Sequence, residues 1–256
     1  MEMIFDKYID NPSGGMVYSN RQMYKAMYQD KFKKVLLREQ GNIDYTVYHD
    51  KDPQDSYYIH MKIPSEVIEK FYYDVVIRLY ATKNAQKANS KLRQYYVQFY
   101  SNDPAFMYTF AHSFAKNKLF IKDLEPKMSR KALTNIARER NPKDDVWYVK
   151  SLYFAYLTME KYNLFSRAIL DDKAKPYSKR SLLSNIEHAE KKVKARQEEQ
   201  EKLNKKKKRE ATRNTDVKTD SAPITRSVQP VRKAKTTKTV GTVKTAKIIG
   251  AKKPMK

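Results

Sequence analysis

Ile43-Asp44-Tyr45-Thr46-Val47-Tyr48-His49-Asp50-Lys51-Asp52-Pro53-Gln54-Asp55-Ser56-Tyr57-Tyr58-Ile59-His60-Met61-Lys62-Ile63 is where the chain changes its hydrophobic period from that of a helix to that of a strand. Ile43, Tyr45 and Val47 alternate with polar neighbours, and Tyr57, Ile59, Met61 and Ile63 resume the alternation. The Asp- and Pro-rich stretch between the two runs supplies turn formers, so residues 43–63 read as a β-hairpin. Upstream, Ser19 is placed to cap a helix on which Met23, Tyr24, Met27, Tyr28, Phe32, Val35 and Leu36 recur at three- and four-residue spacing. Gly41 follows where a helix C-terminus favours a left-handed residue. Downstream, Pro64 closes the hairpin and Ser65 caps an expected helix from Glu66 to about Tyr80.

Residues 94–101, rich in Tyr, Val and Phe, read as a third strand. Asn102-Asp103-Pro104 then opens a helix, because proline in the first turn lacks only an N–H that would have no partner there. Phe106, Phe110 and Phe114 stack along it at i, i+4 and i+8. Residues 129–140 read as a short helix. Asn141-Pro142, with Asp144 and Asp145 in the dipole-favoured first turn, opens another that carries Trp147, Leu152, Tyr153, Tyr156 and Leu157. The expected fold class is α+β, mainly helical, with the hairpin at 43–63 and the third strand at 94–101.

The 256 residues carry 53 basic and 29 acidic side chains, a net charge of +24, and the excess is uneven. Residues 178–256 hold 24 basic and 8 acidic residues, and every aromatic side chain lies at or before Tyr177. A segment without aromatics and with that charge density cannot bury enough apolar surface to offset the entropy of ordering. The expected organisation is an aromatic-rich α+β domain over 1–177, a charged helix over 178–210 and a disordered basic tail over 211–256. On the charged helix, Leu182, Ile186, Ala189 and Val193 make a 4-3-4 seam that weakens through Arg196 and Gln200 to Leu203.

The absence of cysteine excludes disulfides, thiolate metal sites and a cysteine nucleophile. With only Gly14, Gly15 and Gly41 in the aromatic-rich part, there is no glycine loop to cradle a phosphate. His49, His60, His112 and His188 lack metal-ligand spacing. The hairpin can bring only His49 and His60 face to face, and these read as half-exposed strand residues. Asp50, Asp52 and Asp55 are the sole support for an enzyme, yet Asp55 and Met61 stand where a calcium loop needs glycine and glutamate. No catalytic residue, metal or cofactor is therefore expected. The N-terminus shows no secretory signal and no run of about 18 apolar residues occurs, so a soluble, intracellular setting is expected, with no membrane.

Two features remain. The first is the basic extension, whose cations neutralise phosphates without a defined fold or sequence specificity. The nucleic-acid-binding candidates are Lys205, Lys206, Lys207, Lys208 and Arg209, then Arg232, Lys233, Lys235, Lys252 and Lys253. The second is the aromatic excess, which reads mostly as core but also suits a protein–protein interface or a homo-oligomer. A different use would be base stacking, for which Arg93-Gln94-Tyr95-Tyr96-Val97-Gln98-Phe99-Tyr100 is the one stretch interleaving aromatics with a basic residue.

Phe99-Tyr100-Ser101-Asn102-Asp103-Pro104-Ala105-Phe106-Met107-Tyr108-Thr109-Phe110 and Lys150-Ser151-Leu152-Tyr153-Phe154-Ala155-Tyr156 lie in a region, about 95–165, that resembles structural proteins of tailed bacteriophages. The likeness is one of texture: Lys-, Tyr- and Asn-rich, cysteine-free, with a basic tail. It implies a phage-encoded structural or assembly protein set in a virion or a bacterial host cytoplasm, with other virion or assembly proteins as partners beside the nucleic acid expected from the basic extension, and it assigns no site residue. The alternative expectation is a free nucleic-acid-binding accessory factor in replication or transcription, reading bases through residues 93–100.

Overall fold

The computed structural model describes residues 3–10, 20–51, 55–81, 92–137, 140–141, 143–146 and 149–216. The fold is α+β. Five strands form one sheet in the order β4-β3-β2-β1-β5: β1 (Tyr45–Asp50), β2 (Ser56–Pro64), β3 (Tyr72–Tyr80), β4 (Tyr96–Ser101) and the short β5 (Lys175–Pro176). Strands β1 to β4 are antiparallel neighbours, and β5 lies parallel to β1. The hairpin forms as expected, with Val47 opposite Ile59 and Asp50 opposite Ser56. So does the third strand read at 94–101, which is β4.

Between them the structure corrects the sequence reading. Residues 66–80 are not a helix. A turn through Ser65, with Lys70 at φ 56°, leads into β3, which pairs along nine residues with β2. Tyr73, Val75, Ile77 and Leu79 point to one face, and Val76 and Tyr80 share the other with Asp74 and Arg78. Both faces are covered, so the strand is buried almost throughout. A strand buried on both sides shows no clean alternation, and its apolar run can pass for a helix.

The apolar face of the sheet packs on α1 (Phe5–Asp10), α2 (Asn20–Arg38) and α5 (Lys150–Lys161). Tyr8 meets Phe99 with ring centroids 4.5 Å apart, and Phe32 meets Phe154 at 5.3 Å. Helix α2 ends as the sequence predicts, at Gly41 with φ 79°, whose N–H donates to the Leu36 carbonyl at 2.8 Å. Short backbone segments cover the outer edge of β4. The Val97 N–H donates to Met3 and the Phe99 N–H to Leu119, so this edge offers no long row of unpaired groups to another chain.

The helix opened by Asp103 and Pro104 contains a π-turn (Phe106–Phe110) before α3 (Ala111–Lys116). Phe106, Phe110 and Phe114 are buried as expected. The helices after it are shorter than read from sequence. Helix α4 (Arg130–Thr134) is capped by Ser129, and α5 starts only at Lys150. Asn141 opens no helix. Its side chain instead bonds Ser113 and the Asp145 backbone, and Asp144 adopts φ 55°. Trp147 and Pro142 lie outside the described residues.

The opposite, more polar sheet face carries the second correction. The 3-10 turn Lys122–Lys127, Tyr177, α7 (Lys179–Asn185) and the start of α8 (Ala189–Asp216) lie over it, while α6 (Arg167–Lys173) runs beside β1. The Tyr177 ring stacks on Tyr58 at 4.2 Å, and both phenols donate to Asp123. Burial pushes the Tyr58 phenol up to about 12. Residues 178–210 are thus not one free charged helix. The chain breaks between α7 and α8, and the seam residues Leu182, Ile186, Ala189 and Val193 all join the main core. The compact unit runs from Met1–Arg209, not to Tyr177, and Glu210–Lys256 forms a second unit.

Candidate nucleic-acid interface

Helix α8 changes character along its length. Val193 is core, Ala195 packs on Ile68, Phe71 and Tyr73, and Lys192 and Arg196 lie over Phe71 and Tyr73 at 4.6 and 5.4 Å. Over 201–212 every side chain is exposed except Leu203, which is half-buried. Glu198 and Glu201 stand four residues before Lys202 and Lys205, the spacing and polarity that support a solvated helix. Lys205, Lys206, Lys207, Lys208 and Arg209 sit on this exposed stretch. At about 100° per residue, five consecutive cations surround the helix rather than form one stripe. A polyanion can then approach from any side, but a straight duplex meets only part of the set at once. Arg232, Lys233, Lys235, Lys252 and Lys253 lie outside the described residues.

The strand proposed to read bases has most of its aromatic side chains in the core. Tyr95 and Tyr100 are fully buried, and Phe99 is 1% exposed. Arg93 is engaged as well: it bonds Glu160 at 2.9 Å and lies over the Phe165 ring at 4.3 Å. Tyr95, Phe99 and Tyr100 are core and are not available to stack on bases, while Tyr96 is half-buried.

Three histidines are each held by an aspartate, 6, 14 and 32 positions along the chain. His49 Nε2 lies 2.6 Å from Asp55, His60 Nε2 2.9 Å from Asp74, and His112 Nδ1 3.0 Å from Asp144. His49 and His60 do not face each other. They oppose Tyr57 and Thr46, on opposite faces of the sheet. Asp55 also pairs with Arg167 at 2.8 Å, which makes it an anchor between β2 and α6. Asp52 lies outside the described residues, and among the described residues no group of three His, Asp or Glu side chains could hold a metal ion.

Asp74 is the most heavily engaged of these groups. Its carboxylate is fully buried and accepts from His60, Lys62, the Asn102 amide at 2.8 Å and the Glu187 backbone N–H at 3.1 Å. Burial alone would raise its pKa, but the hydrogen bonds and charge of His60 and Lys62 outweigh it and hold the carboxyl at about 2. Asp144 behaves alike. Burial is opposed by bonds from Lys116, Ser113 and His112, and the group titrates at about 2. Sequence spacing could not reveal these pairs, which close only when the sheet and helices assemble.

Among the described residues no helix is long and apolar enough to cross a membrane. No family model matches the chain, and no curated protein or solved structure matches it either.

Proposed function

We propose that the protein is a non-enzymatic structural or assembly protein of a tailed phage. Its α+β unit binds other protein subunits, and the end of α8 with the segment after it contacts nucleic acid through phosphates. The observation that carries this reading is the cluster of cations at 205–209, exposed on all sides of a helix that has left the core. The chain continues from there in the same vein, with 12 basic and 3 acidic residues over 210–256. Each phosphate neutralised releases a counterion, so such a segment binds without reading sequence. The phage setting rests on the resemblance over 95–165. The accessory-factor alternative keeps the same electrostatic arm but is less favoured, because Tyr95, Phe99 and Tyr100 of its base-reading strand are core.

The test compares the full chain with a full-length variant in which all five residues at 205–209 are Gln, titrated with duplex DNA between 50 and 300 mM salt. The wild-type chain is expected to show a steep linear fall of log K with log salt. The variant's slope is shallower by about 2 to 4, since roughly 0.9 is lost per phosphate contact. Equal slopes for the two proteins would remove the 205–209 cluster from the interface.

A further inference from the structure

A cleft of about 460 Å³ lies between the π-turn helix, α4 with the residues after it, and the first turn of α8. Its size is within the range of small-ligand clefts, roughly 300–1,000 Å³. Tyr108 and Ile136 line it, and they are 51% and 46% exposed, two of the few large apolar side chains left open to solvent among the described residues. The π-turn accounts for the first of them. The Ala111 N–H donates to Phe106, five residues back, so the turn is widened: Phe106, Met107 and Phe110 stay buried while Tyr108 is turned out into the cleft. Turns of this kind are rare and recur at functional sites.

The polar lining is equally specific. His112 lines the cleft with its Nδ1 bound to Asp144, and Asp144 is itself fixed by Ser113 at 2.6 Å and Lys116 at 2.8 Å. The imidazole is therefore held in one orientation, and among the described residues nothing engages its Nε2. Lys131 brings a flexible point charge and Asn135 an amide with both a donor and an acceptor, and both are exposed. Glu190 is the one carboxylate in the lining, a matched acceptor for an exocyclic amine.

We infer that this cleft binds one unstacked nucleotide of a single strand, with the base against the Tyr108 ring, its polar edge toward Asn135 and Glu190, and a flanking phosphate at Lys131. An exposed aromatic face beside a cation and an amide is the combination that single-strand binders use. A wholly anionic ligand would be repelled by Glu190, and a wholly apolar one would leave Lys131 and His112 idle. The inference rests on nucleic acid being the partner, as proposed above, and adds to the phosphate-binding arm a contact that only single strands can make.

The experiment measures the affinity of the full chain, and of full-length Tyr108→Ala and Lys131→Gln, for a 12-nucleotide single strand of mixed sequence and for the duplex of the same length. The expected result is a loss of roughly tenfold for the single strand on Tyr108→Ala, with duplex affinity unchanged. Tyr108→Phe restores the single-strand affinity. Lys131→Gln weakens single-strand binding and flattens its salt dependence. Because Tyr108 is half exposed, its truncation leaves the thermal transition in place, which circular dichroism verifies. If Tyr108→Ala leaves single-strand affinity unchanged while the duplex still binds with a steep salt slope, the cleft inference fails and the arm stands. If the wild-type chain binds neither form, both fail. Loss of self-association in sedimentation on Tyr108→Ala, with nucleic-acid affinities intact, would assign the cleft to a peptide and overturn the inference.

Discussion

Asp74→Ala is expected to destabilise the fold by about 3–5 kcal/mol, the range for removing one partner of a buried charge network. The substitution removes the acceptor for four donors at once. His60 is 5% exposed, and it would lose the charge that holds its Nε2. The Asn102 amide and the Glu187 N–H would be left without their carboxylate acceptor. A melting temperature lower by about 10 °C follows for a unit of this size. Asp74→Asn should cost less, because an amide oxygen still accepts one of these bonds. Acid provides a second readout with a definite sign. The folded carboxyl sits at about 2, below its ordinary 3.8, so its stabilising contribution is complete above about pH 4 and is lost as pH falls through about 2. That contribution is about 2 kcal/mol. Thermal melts between pH 5 and pH 2 should fall steeply for the wild-type chain and less steeply for Asp74→Ala, which has already lost that group. Asp144 titrates in the same range in both proteins, so a residual acid slope remains in the variant. An Asp74→Ala protein that melts with the wild-type temperature and acid slope would show that the network does not hold the fold.

The parts of the molecule that could be read from sequence are those whose signal is local. The hairpin at 43–63 pairs residues 6 to 16 positions apart, and its turn formers mark the loop. Gly41 terminates α2 through its own backbone freedom, and Ser129 caps α4 with a bond to a neighbour three residues on. What escaped was set by tertiary cover. Strand β3 resembles a helix because Val75, Val76 and Ile77 are apolar on both faces in turn, and nothing near Glu66 announces that a helix and a polar layer will sandwich it. Asn141-Pro142 carries a helix-start signature, yet the Asn141 side chain is drawn to Ser113, and the helix waits until Lys150. The site residues divide in the same way. A run of four lysines and an arginine is visible in any composition scan. The cleft around Tyr108 is not, since it depends on a π-turn and on three segments spread from Met107 to Glu190.

The segment from Ser178 to Val193 shows how composition misplaced a boundary, and it leads to the second large effect. Its charge density reads as solvated, but the few apolar residues are spaced to fall on one side. Leu182 and Ala189 are fully buried, Ile186 is 2% exposed and Val193 6%. Polar bonds reinforce the docking: the Asn185 amide donates to the Tyr48 hydroxyl at 2.9 Å, and the Glu187 N–H to Asp74. A chain ended after Tyr177 would therefore uncover part of the core and strip Asp74 of one donor. Leu182→Ala and Ile186→Ala alone should each cost about 2–5 kcal/mol. Their joint removal, with Val193 and the Glu187 bond, approaches the whole stability of a typical domain, about 5–15 kcal/mol. The expected result is that the 1–177 chain shows no cooperative thermal transition, while a chain ended after Arg209 melts within a few degrees of the full length. Circular dichroism melts of the three chains decide it. Should the 1–177 chain melt cooperatively near the full-length temperature, α7 and the first turns of α8 are an appendage rather than part of the core, and the folded unit ends where the aromatics do.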